Sequence, residues 1–583
     1  MARLPRKTKP PLPARVGRPI GAPSWFRPAL LAVSCLLLAG LFSQEVSNSD
    51  FWWHLRTGQY IWQSHSLPDP DPFAYTTAAA GAAYGGEEVT RRLNLTHEWL
   101  AQVLIFLTHQ TAGFAGIVLA RAALLTAFCA LAGFVAYRRC GGFYRSLAAG
   151  FAAAAVAHPF AADRPYLVTF VLLAAFLALL EWRKPAWLLL MPLLMLIWAN
   201  CHGGFVSGWV VMGAYSAEAL FDRLRGHPHP GDFRLWTICA STALISLVNP
   251  NSFHVVPVLL HYRASPLTAS LLEWEPPALW PPTPFSLLLP AAAGVLLWAH
   301  RRVRIADWLL FGAFAAAALT ASRNTILIGL LAPVLIAAYL PWKRPAGRYG
   351  EIGAAILLLS GTGAVLAGGQ PFQLRAADWS YPTGAAEFLL SHHISERMFN
   401  TYEYGGYLIW RLWPFQRVFI DGRALSESVF ADYRKILYTA GDRGPAGAMR
   451  LLDQYGVQVV LMNSFEYTSG QAYVLAPALA DPDNGPWSLV YADAQAMIFL
   501  RHPPDGMPVL EPSQVLNAME SECELHIRHE PRFPACARNL GLMFLKNGDS
   551  PSAIRWLGVY LEHAPGKDLT AENAYQRLLQ TGQ

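Results

Sequence analysis

The chain has 583 residues, of which 54% are hydrophobic and only 14% are charged, and its net charge is +6. Soluble globular domains carry about 25% charged residues, so this composition excludes an ordinary soluble protein and indicates a polytopic membrane protein. The Lys and Arg residues lie in short clusters between apolar segments, which argues against a nucleic-acid-binding face.

The N-terminal region is rich in Pro and Arg. Residues 1–27 are predicted to form a disordered, basic cytoplasmic segment. The apolar stretch 29–44 follows. A cleavable signal peptide is the alternative interpretation, but no small-residue cleavage pattern follows the stretch, so we interpret it as a membrane anchor.

A transmembrane domain is predicted at 28–369. About 20 apolar residues cross a bilayer, and on this criterion the sequence predicts eleven spans. They lie near 28–45, 114–137, 146–162, 166–182, 186–200, 204–221, 233–249, 284–300, 305–321, 325–341 and 350–368. With the N-terminus in the cytoplasm, the loops rich in Arg and Lys all fall on the cytoplasmic side, as the positive-inside rule requires.

The first outer loop, 46–113, is long and contains an apolar run at 98–110. This run is too short to cross a bilayer, and we interpret it as an interfacial helix. If it crossed, every later loop would change sides and the positive-inside pattern would fail.

Polar residues collect at the predicted outer face. Asp50 follows the first span in the stretch Asp50-Phe51-Trp52-Trp53-His54-Leu55, and Glu98 lies in Thr96-His97-Glu98-Trp99-Leu100 before the next span. A carboxylate is costly at a membrane boundary, which favours a functional role. Asp50 is predicted to be a general base, which requires an ionised carboxylate within hydrogen-bond reach of an acceptor hydroxyl.

The other candidates are basic or lie in later outer loops. Arg164 and Arg323 are predicted to bind a phosphate, because a guanidinium group matches phosphate oxygens bidentately. The second group, predicted to position substrate or bind metal, comprises His54, His97, Glu98, Asp163 and His202. Glu98 and Asp163 are also the alternatives to Asp50 as the catalytic acid or base.

Simpler interpretations stay open for several of these residues. Asp50 could be a helix N-cap, and Asp163 with Arg164 could be an interfacial ion pair. Arg323 could extend toward lipid headgroups. The Trp-Glu-Pro-Pro run from Trp274 is interpreted as a structural lid, although Glu273 and Glu275 could meet an acceptor.

The composition becomes that of a soluble region after Gly369. An α/β domain is predicted at 370–510, with helices at 383–393, 428–438 and 446–455 and strands at 417–420, 457–462, 488–491 and 496–500. A helical tail at 511–583 has the small, large and breaker positions of one tetratricopeptide unit: Leu540, Gly541, Phe544, Gly548, Ala553, Leu557, Tyr560 and Pro565. One unit cannot bury its own face, so it must pack on the α/β part, neighbouring helices or a protein partner. A disulfide between Cys523 and Cys536 stays open and requires an extracytoplasmic tail.

The order of these features resembles the GT-C membrane glycosyltransferases, in particular the protein mannosyltransferase and aminoarabinose transferase branch (glycosyltransferase family 39-like). Asp50 matches the acid after the first span in that branch, and Asp163 matches the acid of the second outer loop. The resemblance covers roughly 28–340. It implies a catalytic base at Asp50 and a polyprenyl-phosphate sugar donor.

The chain more closely resembles a group of bacterial membrane proteins that share three blocks. These are Asp50–Leu55, Trp198–Gly204 (Trp-Ala-Asn-Cys-His-Gly-Gly) and Phe419–Arg423 (Phe-Ile-Asp-Gly-Arg), the last interpreted as a turn with an Asp–Arg pair. Many mannosyltransferases have two adjacent acids where this loop has Asp50 alone, and Arg91 and Arg92 make the loop basic. Metal use and acceptor class therefore stay open.

The sequence is thus predicted to encode a polytopic α-helical GT-C-like membrane protein with an α/β domain and a TPR-like unit. The predicted activity is transfer of a sugar to an envelope acceptor at the outer face of the bacterial inner membrane, with the N-terminus cytoplasmic and the C-terminal domain periplasmic or extracellular. No cofactor is certain, a divalent metal stays open, and no nucleic acid is expected. The alternatives are a non-enzymatic scaffold of an envelope assembly and a lipid-linked sugar transporter. Transporters often show polar residues within the spans and an internal duplication, and neither is evident.

Overall fold

The computed structural model describes residues 25–79, 81–262, 272–341, 347–369, 371–423, 425–439, 444–467, 469–530, 534–564 and 566–581. Most of the predicted disordered N-terminal segment, together with Pro565, lies outside these residues.

The first half of the chain is helical. Its α-helices are α1 (Phe26–Leu41), α2 (Asp50–Ser64), α3 (Thr76–Ala79), α4 (Glu87–Thr96), α5 (Trp99–Cys140), α6 (Phe143–Ala157), α7 (Tyr166–Trp182), α8 (Pro185–Leu188), α9 (Met191–Cys201), α10 (Val206–Leu224), α11 (Asp232–Ile245), α12 (Val255–Tyr262), α13 (Pro284–Trp298), α14 (Ile305–Thr320), α15 (Thr325–Tyr339) and α16 (Gly347–Ala367).

Within the described residues, three helical stretches are long and apolar enough to cross a membrane: Glu87–Cys140, Ser322–Tyr339 and Gly350–Ala367. Shorter apolar helices of 10–17 residues are Phe26–Leu41, Tyr166–Trp182, Pro185–Cys201, Pro284–Trp298 and Ile305–Thr320. The number of eleven crossings therefore stays a prediction.

Helix α5 is broken at Gly113, whose φ of 59° and ψ of −153° are not helical. Glycine adopts this backbone conformation without the steric cost that a Cβ would impose. The stretch 99–112 is therefore a separate helical piece ahead of the long apolar piece. Its interfacial position stays a prediction.

A network of ion pairs lies near the C-terminal end of α5, away from the first outer loop. Arg139 on α5 donates to both oxygens of Asp307 at 2.7 and 3.1 Å, and it lies 3.3 Å from Glu181 on α7. Arg304 also contacts Asp307 and Glu181. Arg139 and Arg304 belong to the basic clusters that are predicted to lie on the cytoplasmic side. Their ion pairs also hold α5, α7 and α14 together.

The second half contains helices and one sheet. The helices are α17 (Thr383–Ser391), α18 (Tyr402–Leu412), α19 (Glu427–Leu437), α20 (Gly444–Gln454), α21 (Leu475–Ala480), α22 (Gln514–His529), α23 (Ala535–Lys546), α24 (Ser550–His563) and α25 (Leu569–Thr581). The strands are β1 (Met398–Asn400), β2 (Val459–Met462), β3 (Ser488–Ala492) and β4 (Met497–Leu500).

The four strands lie in the order β1-β2-β4-β3, with β1 and β2 parallel and the other neighbours antiparallel. Three predicted strands are confirmed. The predicted strand at 417–420 is wrong, because this stretch lies outside the sheet and Val418 instead forms a single bridge with Ala74 of the first outer loop. Strand β1 was missed because three residues are too few to show a period.

Both faces of this sheet are covered by other parts of the chain. Successive side chains of a strand point to opposite faces, and the alternate residues of β2 belong to two different cores. On β2, Val460 and Met462 pack into a core shared with the tail helices. Val459 and Leu461 pack into a second core that includes Trp52 of α2. The sheet therefore lies between the helical tail and the first outer loop.

The tail helices α23 and α24 are adjacent. A Cβ at Gly541 of α23 would lie 2.7 Å from Cγ of Leu557, so the small residue permits this close approach. Leu540, Phe544 and Leu557 pack into the core that includes Val460 and Phe499 of the sheet. The unit thus packs on the α/β part, one of the predicted options, while its assignment as TPR-like stays a prediction. Cys523 and Cys536 form a disulfide.

Candidate functional site

Asp50 is the first residue of α2, and its exposed fraction is 8%. The indole N–H of Trp53 donates to Asp50 Oδ1 at 3.0 Å, and Arg164 forms an ion pair with Oδ2. The N-cap interpretation is wrong, because the capping position is Ser49. A carboxylate in the first turn is also stabilised by the helix dipole.

Arg164 connects Asp50 to a second acid. Its other terminal nitrogen, Nη1, lies 3.3 Å from Oε2 of Glu273, and Oε1 of Glu273 lies 3.1 Å from Nη1 of Arg323. The Arg323 guanidinium also lies over the ring of Trp274, 4.6 Å from its centroid. Asp50, Arg164, Glu273 and Arg323 therefore form one chain of alternating charge, which we call the arginine–acid chain.

Asp163 has a different partner from its neighbour Arg164. It forms an ion pair with Arg121 at 2.6 Å, and the two side chains are 3% and 2% exposed. Arg121 also donates to the backbone carbonyls of Phe42 and Gln44. The interpretation of Asp163 and Arg164 as a pair is therefore wrong. Asp163 instead anchors the chain where it leaves α1.

Glu98 lies among three histidines. The distances from its carboxylate oxygens are 3.7 Å to His54 Nδ1, 3.5 Å to His97 Nε2 and 3.8 Å to His202 Nε2. The His97 Nδ1 lies 2.7 Å from the carbonyl of Leu93, which can only accept. Only the imidazolium form of His97 donates from both ring nitrogens, so this geometry favours a charged His97 beside Glu98.

His202 is held as a neutral ring. Its Nδ1 accepts from the backbone N–H of Gly204 at 3.0 Å and from the Thr169 hydroxyl at 2.8 Å. The indole of Trp198 donates to Thr169, which orients that hydroxyl. The proton is therefore on Nε2, the atom that faces Glu98.

The two clusters are close enough to interact electrostatically. Burial lowers the pKa of His202 to about 3, and the charges of Arg323 and Arg164 add to this lowering against the opposing effect of Glu98. Asp50 and His54 are four residues apart on α2 and so share one face of this helix. His54 lies 3.7 Å from Glu98. The arginine–acid chain and the Glu98 cluster therefore meet at this face of α2 and form one polar region.

The block Trp198–Gly204 builds one wall of this region. Asn200 accepts from the indole of Trp99 at 2.8 Å and donates to the carbonyls of Leu196 and Val248 at 2.9 and 2.8 Å. A Cβ at Gly204 would lie 2.6 Å from the Thr169 hydroxyl oxygen, so a larger residue would displace the partner of His202. The block therefore positions Glu98 and His202.

The block Phe419–Arg423 reaches the same region from the α/β domain. Arg423 binds Asp421 at 2.6 Å and Asp71 of the first outer loop at 2.7 Å, and all three side chains are buried. The predicted Asp–Arg pair is confirmed. The contact of Gly422 was missed: a Cβ there would overlap Asp50 Oδ1 and lie 3.3 Å from Trp53 Nε1.

A cavity of about 610 Å³ lies beside these elements. Its lining includes Asp71, Glu88, Arg92, Asn251 and His254. Because Asp71 binds Arg423 and Gly422 touches Asp50, the loop 421–423 connects this cavity with the carboxylate of Asp50.

Metal binding is not supported by the arrangement of side chains. Within the described ranges, no group of three or more His, Cys, Asp or Glu residues is arranged to hold a metal ion. Asp50 and Glu273 are engaged by Arg164, and Asp163 is engaged by Arg121. As arranged, these three carboxylates do not fit a divalent ion.

Three comparisons with known proteins bear on the fold. No family model and no curated protein matches the chain. Among solved structures, the archaeal oligosaccharyltransferase AglB from Archaeoglobus fulgidus, in complex with an inhibitory peptide and a dolichol-phosphate, is similar with a TM-score of 0.52 and 11% identity. The match covers 82% of this chain and 75% of AglB. At this identity the likeness shows the fold alone: the chain has a GT-C-like fold similar to that of AglB.

Proposed function

We propose that this protein is a membrane glycosyltransferase that moves a sugar from a polyprenyl-phosphate-linked donor to an envelope acceptor at the outer face of the membrane. The observation that carries the proposal is the placement of Asp50, a buried carboxylate held by Trp53 and Arg164 at the start of the arginine–acid chain. AglB, with a similar fold, was solved with a dolichol-phosphate, which supports a lipid-linked donor.

Asp50 is the proposed general base. Each of its oxygens accepts from one neighbour and keeps a second lone pair, because a carboxylate oxygen can accept more than one hydrogen bond. Arg164 stabilises the ionised form that a base requires. Trp53 restricts rotation of the carboxylate, so its remaining lone pairs have a defined direction.

The reaction is a direct displacement with inversion. Asp50 takes the proton of the acceptor hydroxyl as the hydroxyl oxygen forms a bond to the anomeric carbon. The bond from that carbon to the phosphate oxygen breaks, and the lipid phosphate leaves with the electron pair. Arg164 and Arg323 stabilise the charge that develops on the leaving oxygen, since fixed donors are most effective where charge appears in the transition state.

The Glu98 cluster is proposed to position the sugars. The Nε2–H of His202 and the ring of His54 border the same polar region as Asp50, and both can bind hydroxyl groups. The 610 Å³ cavity offers room for an acceptor of saccharide size, within the usual range of about 300–1,000 Å³ for ligand pockets. Asp163 is proposed to act through structure, by anchoring Arg121.

The test is an Asp50→Asn variant, checked for normal membrane insertion and assayed with a panel of polyprenyl-phosphate sugars and envelope acceptors. We expect a fall in transfer of about 10²- to 10⁴-fold, the usual effect of removing a general base. Asp505→Asn, which removes an exposed carboxylate in the 370–510 region, is the matched control. Unchanged transfer would remove Asp50 from the mechanism. No transfer by the parent protein with any donor would favour the scaffold or transporter alternatives.

A further inference from the structure

Arg164 and Arg323 share one carboxylate of the same chain. Oε2 of Glu273 faces Arg164 and Oε1 faces Arg323, at 3.3 and 3.1 Å. We propose that these two arginines form an anion site for a phosphate group and that Glu273 is its internal occupant, displaced when phosphate binds and restored when phosphate leaves. This inference rests on the proposed function and extends it to the regulation of the same site.

The geometry supports exchange of one anion for another. A carboxylate and a phosphate both present two oxygens that match guanidinium donors. Glu273 uses its two oxygens on two different arginines, so it spans the gap between Arg164 and Arg323 as two oxygens of a phosphate would. A phosphate monoester carries more charge and more acceptor oxygens than a carboxylate, so it can replace Glu273 on both arginines.

The exchange leaves the base undisturbed. Arg164 contacts Asp50 through Nη2 and Glu273 through Nη1. A phosphate that replaces Glu273 therefore needs only Nη1, while Nη2 stays on Asp50. One guanidinium would then connect the general base with the leaving phosphate.

The exposure of the side chains agrees with this exchange. The side chain of Glu273 is 37% exposed, whereas that of Asp50 is 11% exposed. A partly exposed ion pair contributes little stability because solvent screens it. Glu273 is therefore the partner of Arg164 that can be displaced, and Asp50 is the partner that stays.

The backbone beside Glu273 is anchored. The carbonyl of Glu275 accepts from the backbone N–H and the hydroxyl of Ser322, both at 2.8 Å, and Trp274 lies under Arg323. Rotation of the Glu273 side chain alone can therefore vacate the site. The carboxylate then stays nearby, at high local concentration, to compete with the phosphate.

Competition between Glu273 and the phosphate favours release of the product. The donor is a phosphodiester with a single negative charge, whereas the lipid phosphate left after transfer is a monoester with a charge of about −1.5 to −2 near pH 7. Two free arginines would retain the monoester. Glu273 weakens that binding and so assists release of the product.

The experiment measures binding of farnesyl phosphate to the full-length protein in nanodiscs. For Glu273→Gln we expect binding that is about two- to tenfold tighter, the scale set by a partly exposed ion pair. Glu275→Gln, which removes an exposed carboxylate two residues away, is the matched control and should bind as the parent does. In Glu273→Gln with Arg323→Ala, the gain should disappear.

Inorganic phosphate is the second probe. A similar gain for both probes assigns the effect to the phosphate group, and a gain for farnesyl phosphate alone assigns it to a lipid phosphate. Unchanged or weaker binding of both probes in Glu273→Gln would overturn the inference while leaving the Asp50→Asn result intact. Loss of transfer in Asp50→Asn tests the proposed function separately, so the two failures are distinguishable.

Discussion

The same residue type has different roles at two positions of this site. Asp50 and Asp163 both follow a membrane helix at the predicted outer face, and both pair with an arginine. The other nitrogens of Arg121 donate hydrogen bonds to backbone carbonyls, so its pair with Asp163 is a structural anchor. Arg164 also binds Glu273, which makes its pair with Asp50 part of a site that can exchange partners.

A single methyl group at residue 422 should disturb catalysis. In Gly422→Ala the new Cβ would overlap Asp50 Oδ1. The carboxylate can move aside, so we expect a folded protein with a displaced base and transfer lowered by about 10- to 100-fold. Gly213→Ala, where a Cβ meets nothing within 4 Å, should leave transfer unchanged. Normal transfer by Gly422→Ala would contradict the contact with Asp50.

At the scale of elements, α22 carries a buried acid next to the disulfide. Glu522 accepts a hydrogen bond of 2.7 Å from the backbone N–H of Ser464, just after β2. Burial raises the pKa of Glu522 to about 8; the hydrogen bonds from Ser464 oppose the shift and the nearby Glu403 adds to it. The protonated form is therefore favoured in the folded tail.

The sign of the pH dependence follows from this shift. An unfolded Glu titrates near 4.5, so between about pH 4.5 and 8 the folded tail binds more protons than the unfolded tail. The contribution of Glu522 to stability is therefore lost as the pH rises through this window. We expect Glu522→Gln to be more stable than the parent at pH 8.5, by about 1–3 kcal/mol, and to show no difference near pH 4.

Native-state hydrogen exchange of the α22 amides, corrected for the intrinsic pH dependence of exchange, measures this effect. Glu524→Gln, which alters a half-exposed side chain of the same helix, is the control. A parent protein whose tail is equally stable at pH 5 and pH 8.5 would contradict the buried, protonated form.

For the whole molecule, the second half of the chain, which contains the sheet, completes the site formed by the helical first half. Its sheet shares one core with the tail and another with α2. Arg423 binds Asp71 of the first outer loop, and Val46 of that loop forms a bridge with Ala376. The segment 421–423 is therefore part of the wall around Asp50.

Weakening this contact should affect both domains. Arg423→Lys keeps the charge but loses the forked donors that bind Asp421 and Asp71 together. We expect faster hydrogen exchange at 71–77, a loss of about 2–4 kcal/mol from this buried contact, and lower transfer. Arg375→Lys alters an exposed pair with Glu45 between the same two parts and should have little effect. Unchanged exchange at 71–77 in Arg423→Lys would contradict a docked domain.

The sequence by itself determined the features that depend on composition and local order. Few charges and many apolar stretches indicate a membrane protein, and the apolar runs at 457–462 and 496–500 predict strands because strands buried on both faces read as continuous apolar segments. The position of Asp50 directly after the first span predicts it as a candidate site residue. These properties follow from neighbours along the chain.

Only the tertiary structure decided which partners meet. Asp163 and Arg164 are adjacent in sequence yet pair with Arg121 and Asp50, since the direction of each side chain depends on how distant helices pack. Glu273 and Gly422 carry no local pattern that links them to residue 50. Glu273 reaches residue 50 only through Arg164, which is 109 residues away in the sequence. Gly422 contacts Asp50 from the far half of the chain. These segments are brought together when the helices and the sheet bury their apolar faces. The site is therefore a consequence of packing rather than of any one motif.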